Sequence, residues 1–182
     1  MISTIKYPSR EQWPMLMRRA VADTSELRTL VADIIAPVEA RGDAALMEYA
    51  LKFDKASLSS LKVCQEEIEA ASAAISAELK DAIALASRNI EAFHSAQRMN
   101  AVEVETMPGV TCWQRAVAID RVGIYIPGGN SPLFSTVLML AIPARIAGCK
   151  RIVMCTPPAA DGSVNPAILY AAQAAGVTEI YK

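Results

Sequence analysis

Charged side chains become scarce after Asp120, and this change restricts what the last third of the chain can fold into. Residues 1–120 hold 13 Lys or Arg and 17 Asp or Glu, whereas residues 121–182 hold only 5 and 2. Surface helices carry charge on their solvated face, but strands of a parallel sheet are covered on both faces and are apolar throughout. The sequence therefore predicts a mainly helical region over 1–120 and strands buried on both faces over 121–182.

The order of elements in the second region indicates an α/β fold. Three short, largely apolar runs are predicted strands: 122–126, 151–155 and 179–181. The first intervening helix has Ser131 as its predicted N-cap and ends at Gly148, and the second covers 165–175 and ends at Gly176. Because connections between parallel strands are right-handed in nearly all proteins, these elements predict the first βαβαβ part of an incomplete Rossmann-like parallel sheet.

Apolar spacing upstream predicts three helices and a hairpin. The first helix begins at Thr24 or Ser25 and ends at Gly42, and the second begins at Asp43. The third and longest has apolar residues alternately four and three apart along one face: Leu79, Ile83, Ala86, Ile90 and Phe93. Alternating polar and apolar residues then predict a β-hairpin over 102–115.

Composition excludes several classes of protein. With 53% hydrophobic and 20% charged residues the chain is not disordered, and a net charge of -1 leaves no positive excess for nucleic-acid phosphates. The longest apolar stretch, 137–148, contains Pro143 and Arg145 and is shorter than the roughly 20 residues that span a bilayer. The first residues also lack the pattern of a secretory signal. The sequence predicts a cytoplasmic protein with neither a nucleic-acid nor a membrane partner.

The cysteines and the single histidine give little support for a metal site. The four cysteines form no CxxC pair and are predicted to be buried structural thiols: Cys64, Cys112, Cys149 and Cys155. His94 has no HxxH or HExxH partner and is predicted to be a solvated or capping residue of the third helix. No nucleophile, base and orienting group occur together. The residues alone therefore predict neither a catalytic nor a metal-binding side chain.

The turn at 127–130, Pro-Gly-Gly-Asn, is the best candidate ligand site. It follows a predicted strand and precedes a helix, where open α/β sheets bind ligands and helix amides attract anions. However, Gly128 and Gly129 match neither G-x-G-x-x-G nor the P-loop pattern, so a tight turn that needs glycine is an alternative. Tyr125, in the preceding strand, either packs in the core or presents its ring or hydroxyl to a nucleotide.

Four segments, in this order, resemble the histidinol dehydrogenase family: RGDAALMEYALKFD (41–54), ASRNIEAFHSAQR (86–98), PGVTCWQRAVAIDRVG (108–123) and DRVGIYIPGGNSPLFSTVLMLAIPARIAGCKRIVMCTPP (120–158). The resemblance implies an enzyme of histidine biosynthesis that oxidises L-histidinol to L-histidine through L-histidinaldehyde and uses two NAD. It also implies a homodimer. In the family, zinc holds and polarises the substrate, while a glutamate and a histidine handle the protons.

The resemblance assigns few of those roles to this chain. Tyr125 corresponds to a family tyrosine that contacts NAD, and Gly128 and Gly129 shape the loop beside it. The family's zinc ligands and proton-transfer pair correspond to positions beyond Lys182, and His94 matches a position without a catalytic role. We therefore expect an amino-terminal portion of the enzyme that is inactive alone. The alternative is a non-catalytic module that binds a nucleotide or a partner chain.

Overall fold

The structure, a computed structural model, describes residues 4–19, 24–129 and 131–182. The chain forms two compact units, Met1–Gly42 and Asp43–Lys182.

The amino-terminal unit is helical. A 3₁₀ turn at Arg10–Gln12 leads into α1 (Trp13–Leu16), and α2 (Ser25–Arg41) follows after residues outside the described part. α2 confirms the predicted first helix and ends at Gly42, whose φ of +56° suits glycine. None of the described side chains of this unit is buried, and the apolar residues Leu27, Leu30 and Val31 of α2 are exposed.

The second unit holds every strand found in the described residues. Its elements are α3 (Asp43–Tyr49), a π-helical turn (Ala50–Asp54), α4 (Gln65–Ala74), α5 (Ala77–Ser95), β1 (Val102–Met107), β2 (Val110–Gln114), β3 (Arg121–Tyr125), α6 (Phe134–Ala147), β4 (Arg151–Cys155), α7 (Pro166–Ala175) and β5 (Glu179–Tyr181). β1 and β2 pair antiparallel, which confirms the predicted hairpin.

β3, β4 and β5 form a parallel sheet, which confirms the predicted parallel pairing, and they lie in that order. Both connections step in the same direction across the sheet, so right-handed crossovers place α6 and α7 on the same face. Those two helices pack against each other and against the side chains of alternate strand residues. Ile152, Met154 and Ile180 are accordingly buried.

The prediction that the strands are buried on both faces is wrong. Exposure alternates along β3 and β4, so that residues facing α6 and α7 are covered and their neighbours are not. Arg121, Gly123 and Tyr125 of β3 lie on the other face, which no helix between the strands covers. The apolar composition of 121–182 comes instead from the two helices, which are buried between the sheet and a second helical layer.

That second layer consists of α4 and α5, which pack on α7 and α6 respectively. Ile83 of α5 is buried and Leu79, Ala86 and Ile90 pack partly buried against the core, whereas Phe93, the last residue of the predicted stripe, is 64% exposed. The helices therefore share one core with the sheet. The boundary between the two compact units, before Asp43, differs from the predicted boundary between 1–120 and 121–182. The predicted division stays a prediction.

The outer edge of β5 is covered by a segment from far upstream. Val63 N donates to the Ile180 carbonyl at 3.0 Å, and Lys182 N donates to the Leu61 carbonyl at 2.7 Å. Lys62 and Tyr181 form an antiparallel bridge between these two bonds. Backbone groups that a strand edge would otherwise expose are thus paired.

Two local predictions are corrected. α6 begins at Phe134, not after Ser131, because Leu133 packs against the core and its carbonyl accepts the first helical bond, from Thr136 N at 3.0 Å. The cysteines are free thiols, but three of them are exposed and Cys149 is half-buried. Cys155 is exposed because it belongs to the uncovered face of β4. Within the described residues, every helix is too short or too polar to cross a lipid bilayer.

Candidate functional site

The carboxyl ends of the three parallel strands open onto two cavities. The smaller, with a volume of about 460 Å³, lies between the loop after β3 and the loop after β4. The larger, of about 810 Å³, is bounded by the end of the sheet, α3, the π-helical turn and residues 59–62. Ligands of open α/β sheets bind at this edge, and both volumes are in the range of small-molecule sites.

Tyr125 lines the larger cavity and is not a core residue. It is the last residue of β3, on the uncovered face, and its side chain is 62% exposed. The strand register places Cys155 and Tyr181 in the same row across the sheet. The ring and the hydroxyl of Tyr125 are therefore accessible to a ligand at this edge, while its contact with a cofactor stays a prediction.

Gly128 and Gly129 line the smaller cavity, whereas Tyr125 lines the larger one. All three residues therefore lie at the same edge of the sheet, but the glycines and the tyrosine line different cavities. At Gly128 a close approach, and not a turn conformation, requires glycine: a Cβ built there would lie 2.7 Å from Pro157 Cγ. Asn130, the last residue of the predicted turn, lies outside the described residues.

A Gly128→Ala substitution should destabilise the protein. The added methyl group would overlap the rigid Pro157 ring, and such overpacking typically costs about 1–3 kcal/mol. Urea unfolding followed by circular dichroism should therefore give a lower midpoint. Gly123→Ala is the matched control, because a Cβ there meets nothing within 4 Å; in the middle of a strand this change should leave the stability unchanged or raise it by up to about 1 kcal/mol. Equal midpoints for both variants would contradict the close approach.

Two polar side chains that the sequence did not single out line both cavities: Asp54 and Thr156. Thr156 directly follows β4, and its position after a parallel strand is a signal that could have found it. Asp54 ends the π-helical turn, which lies about a hundred residues upstream. No local pattern indicates that this turn folds back to the edge of the sheet.

A charged network flanks the larger cavity on the uncovered face. Arg151 Nε and Nη2 donate to the two oxygens of Glu179 at 2.6 and 3.0 Å, and Tyr181 Oη donates to Glu179 Oε2 at 2.9 Å. The hydrogen bonds from Arg151 and then Tyr181 lower the pKa of Glu179 to about 2. The bond to Glu179 also raises the pKa of Tyr181 above its usual value of 10.0.

This network predicts how stability changes in acid. The pKa of Glu179 is depressed from 4.5 in the folded state, so its stabilising contribution is present above about pH 4.5 and disappears as the pH falls towards 2. The thermal unfolding midpoint of the wild type should exceed that of Glu179→Gln at pH 5, and the difference should shrink by pH 2. A difference that stays constant over this range would contradict the assigned pKa.

The described residues contain no group of three or more His, Cys, Asp or Glu side chains that could hold a metal ion. His94 lies near the end of α5, where its Nδ1 and Gln97 Oε1 are 2.8 Å apart, and its ring meets Phe93 edge-on. It lines a third cavity, of about 610 Å³, that none of the candidate residues of the strand ends touches. The zinc that the resemblance implies therefore does not fit the side chains described.

Comparison with known proteins identifies the family. A family model for histidinol dehydrogenase matches residues 17–182. The chain is 59% identical over 182 residues to the histidinol dehydrogenase of Bacteroides thetaiotaomicron, covering 100% of this chain and 42% of that protein. For the Escherichia coli K12 histidinol dehydrogenase the identity is 51% over 173 residues, 95% of this chain and 39% of that protein.

A crystal structure of histidinol dehydrogenase from Elizabethkingia anophelis matches with a TM-score of 0.87 and 48% identity. The match covers 96% of this chain and 40% of that one. The chain thus spans about two fifths of the length of the relatives it matches, and both the resemblance and the predicted α/β architecture are confirmed. This chain belongs to the histidinol dehydrogenase family.

Proposed function

We propose that the chain supplies part of the NAD site of an enzyme that oxidises L-histidinol to L-histidine through L-histidinaldehyde. The observation that supports this is the position of Tyr125, Gly128 and Gly129 around two adjoining cavities at the carboxyl edge of the sheet. Each of two NAD molecules, bound in turn, would accept the hydride removed in one of the two oxidation steps. The chain's own residues bind and orient it.

The residues around the two cavities offer different kinds of contact to a nucleotide. Tyr125 offers an exposed aromatic ring on which a planar base can stack and a hydroxyl that can hydrogen-bond. Gly128 lets the loop after β3 approach Pro157, and both residues line the smaller cavity. Tyr49, Phe53 and Tyr181 add aromatic surface to the larger cavity. A nucleotide with flat bases and a polar backbone suits this combination of surfaces.

The residues that bind zinc and transfer protons are proposed to belong to the part of the enzyme that corresponds to the remaining three fifths of the relatives' length. His94 is held by Gln97 and lies away from the strand ends, so it has no part in the proposed site. We accordingly expect the 182-residue chain alone to lack activity. The longer protein is proposed to be cytoplasmic and a homodimer; sedimentation of the purified, full-length protein tests the dimer.

The cofactor part of the proposal is tested by titrating NAD⁺ into the 182-residue chain in a calorimeter. We expect saturable binding at one site per chain. Heats no larger than those of dilution would contradict the proposal that the part of the NAD site in this chain binds the cofactor by itself.

A further inference from the structure

The third cavity, of about 610 Å³, lies near the amino ends of β3 and β4 and shares no lining residue with the two cavities at the strand ends. Residues 115–119, which form most of the connection between β2 and β3, line one side of it. Apolar side chains of β3 and of the second half of α6 line another: Val122, Pro143, Ile146 and Ala147. A partner held here would therefore be separate from the proposed NAD site.

The backbone of this connecting segment is open. The N–H and C=O groups of residues 116–119 form no hydrogen bond with any described residue, whereas the Asp120 carbonyl accepts two bonds from residues at the start of β4. The side chains still alternate as in a strand, because Val117 and Ile119 are 76% and 70% exposed and Ala118 is half-buried. Free backbone donors and acceptors beside an apolar surface are typical of an open sheet edge, which pairs readily with another strand.

The hairpin that precedes this segment is equally uncovered. Every residue of β1 and β2 is exposed, and among the described residues the two strands pair only with each other. Their register places Val102, Val104 and Cys112 on one face, which is mainly apolar. The base of the hairpin, at Ala101 and Arg115, borders the cavity. Because a two-stranded hairpin is marginally stable in water without a third strand or a packed face, this region favours the addition of a further strand.

The cavity also carries positive charge that no described residue neutralises. Arg98 and Arg115 line it, and neither forms an ion pair within the described part of the chain. The Arg115 guanidinium lies 5.1 Å from the centre of the Trp113 ring, a cation–π contact that leaves its charge uncompensated. None of the side chains that line the cavity is acidic. Because guanidinium groups bind carboxylates through paired hydrogen bonds, the cavity favours a partner that carries a carboxylate.

These features together select an extended acidic peptide. Free backbone groups suit a peptide that pairs as a strand, the apolar wall suits its alternate side chains, and the two arginines suit a carboxylate. A small organic anion would contact the arginines but leave the backbone groups of residues 116–119 unpaired. The chain spans about two fifths of its relatives' length, so about three fifths of the longer enzyme can supply such a peptide.

We propose that an extended segment of that remaining part pairs as a β-strand with residues 116–119 and places a carboxylate at Arg98 and Arg115. This inference rests on the proposal that the chain is part of a longer enzyme, but not on the position of NAD.

Hydrogen exchange measured by mass spectrometry tests the pairing. The 182-residue chain is compared with a chimera in which the part of the Bacteroides thetaiotaomicron histidinol dehydrogenase that follows the matched region is joined after Lys182. Amides of residues 116–119 should exchange about as fast as those of an unstructured peptide in the short chain, and at least about a hundredfold more slowly in the chimera. Amides of β4, paired on both sides, are the control and should exchange slowly in both proteins. The complete Bacteroides thetaiotaomicron enzyme, measured at the matching residues, gives the same comparison without an artificial junction.

Replacing both arginines in the chimera tests the carboxylate. Arg98→Gln with Arg115→Gln should reduce the protection of residues 116–119 about tenfold or more, because hydrogen bonds between charged groups are the stronger kind. Arg28→Gln with Arg88→Gln is the matched control; it removes the same charge from exposed positions outside the cavity and should leave the protection unchanged. Thermal unfolding of each variant establishes that it is folded.

Fast exchange of residues 116–119 in the folded chimera and in the complete relative would overturn the inference. Protection that the loss of Arg98 and Arg115 reduces no more than the control pair does would also overturn it. Protection that already occurs in the 182-residue chain and rises with its concentration would identify a second copy as the partner instead. NADH formation from L-histidinol by the chimera tests the proposed function separately: an active chimera with fast exchange refutes only the inference, and an inactive but protected one refutes only the proposed function.

Discussion

The 182-residue chain, given L-histidinol, NAD⁺ and zinc, should produce no NADH above background. Its single histidine is engaged with Gln97, and no cluster of metal-ligating side chains occurs among the described residues. Zinc-assisted oxidation needs both a held substrate and groups that move protons. The appropriate measurement is absorbance at 340 nm over a long incubation.

The positive control is a chimera. In it, the part of the Bacteroides thetaiotaomicron histidinol dehydrogenase that follows the matched region is joined to this chain after Lys182; the two proteins are 59% identical over the matched region. This chimera should oxidise L-histidinol and form two NADH for each histidine. Turnover by the 182-residue chain alone would contradict our expectation that it lacks the zinc ligands and the proton-transfer groups. A folded chimera that binds zinc and NAD⁺ without turnover would favour the alternative of a non-catalytic module.

Replacing Tyr125 by alanine should cost about tenfold or more in NAD⁺ affinity. Stacking of a base on an aromatic ring is typically worth about 1–3 kcal/mol when tested by alanine substitution, and tenfold corresponds to about 1.4 kcal/mol. Because Tyr125 is 62% exposed, its removal should change the unfolding free energy little, so that affinity and stability can be separated. Calorimetric titration and thermal unfolding of the same preparations measure both.

Tyr125→Phe separates the ring from the hydroxyl: affinity near the wild type indicates stacking, and a loss like that of Tyr125→Ala indicates the hydroxyl. Tyr7→Ala is the control, because Tyr7 is 98% exposed in the amino-terminal unit. If Tyr125→Ala binds NAD⁺ as tightly as this control, the predicted cofactor role of Tyr125 is wrong.

Local patterns predicted the elements whose signals are themselves local. The strand at 151–155 and the helix ends at Gly148 and Gly176 agree with the structure, because glycine in the left-handed conformation terminates a helix whatever surrounds it. The hairpin at 102–115 agrees for the same reason, since alternation and a glycine turn lie within a dozen residues.

Features that depend on tertiary placement could not be predicted in this way. Cys155 is exposed because the crossover helices cover the other face of the sheet. The sequence of the strand alone does not indicate which face the helices will cover. That Asp54 and Thr156 line the same two cavities depends on how distant parts of the chain fold together. The position of Tyr125 before the glycine turn made it a candidate, and the family resemblance favoured cofactor contact over core packing, while its exposure came only from the structure.

The pairing of residues 61–63 with β5 has a consequence for biosynthesis. This segment leaves the ribosome long before its partner, and the linked ion pair between Glu67 and Lys182 closes a loop of 115 residues. Contacts of such high sequence separation form late and slowly. Until β5 has been synthesised, residues 61–63 and the edge of β4 that β5 covers therefore have no partners in the nascent chain, and chaperone capture during synthesis should be strongest in that interval.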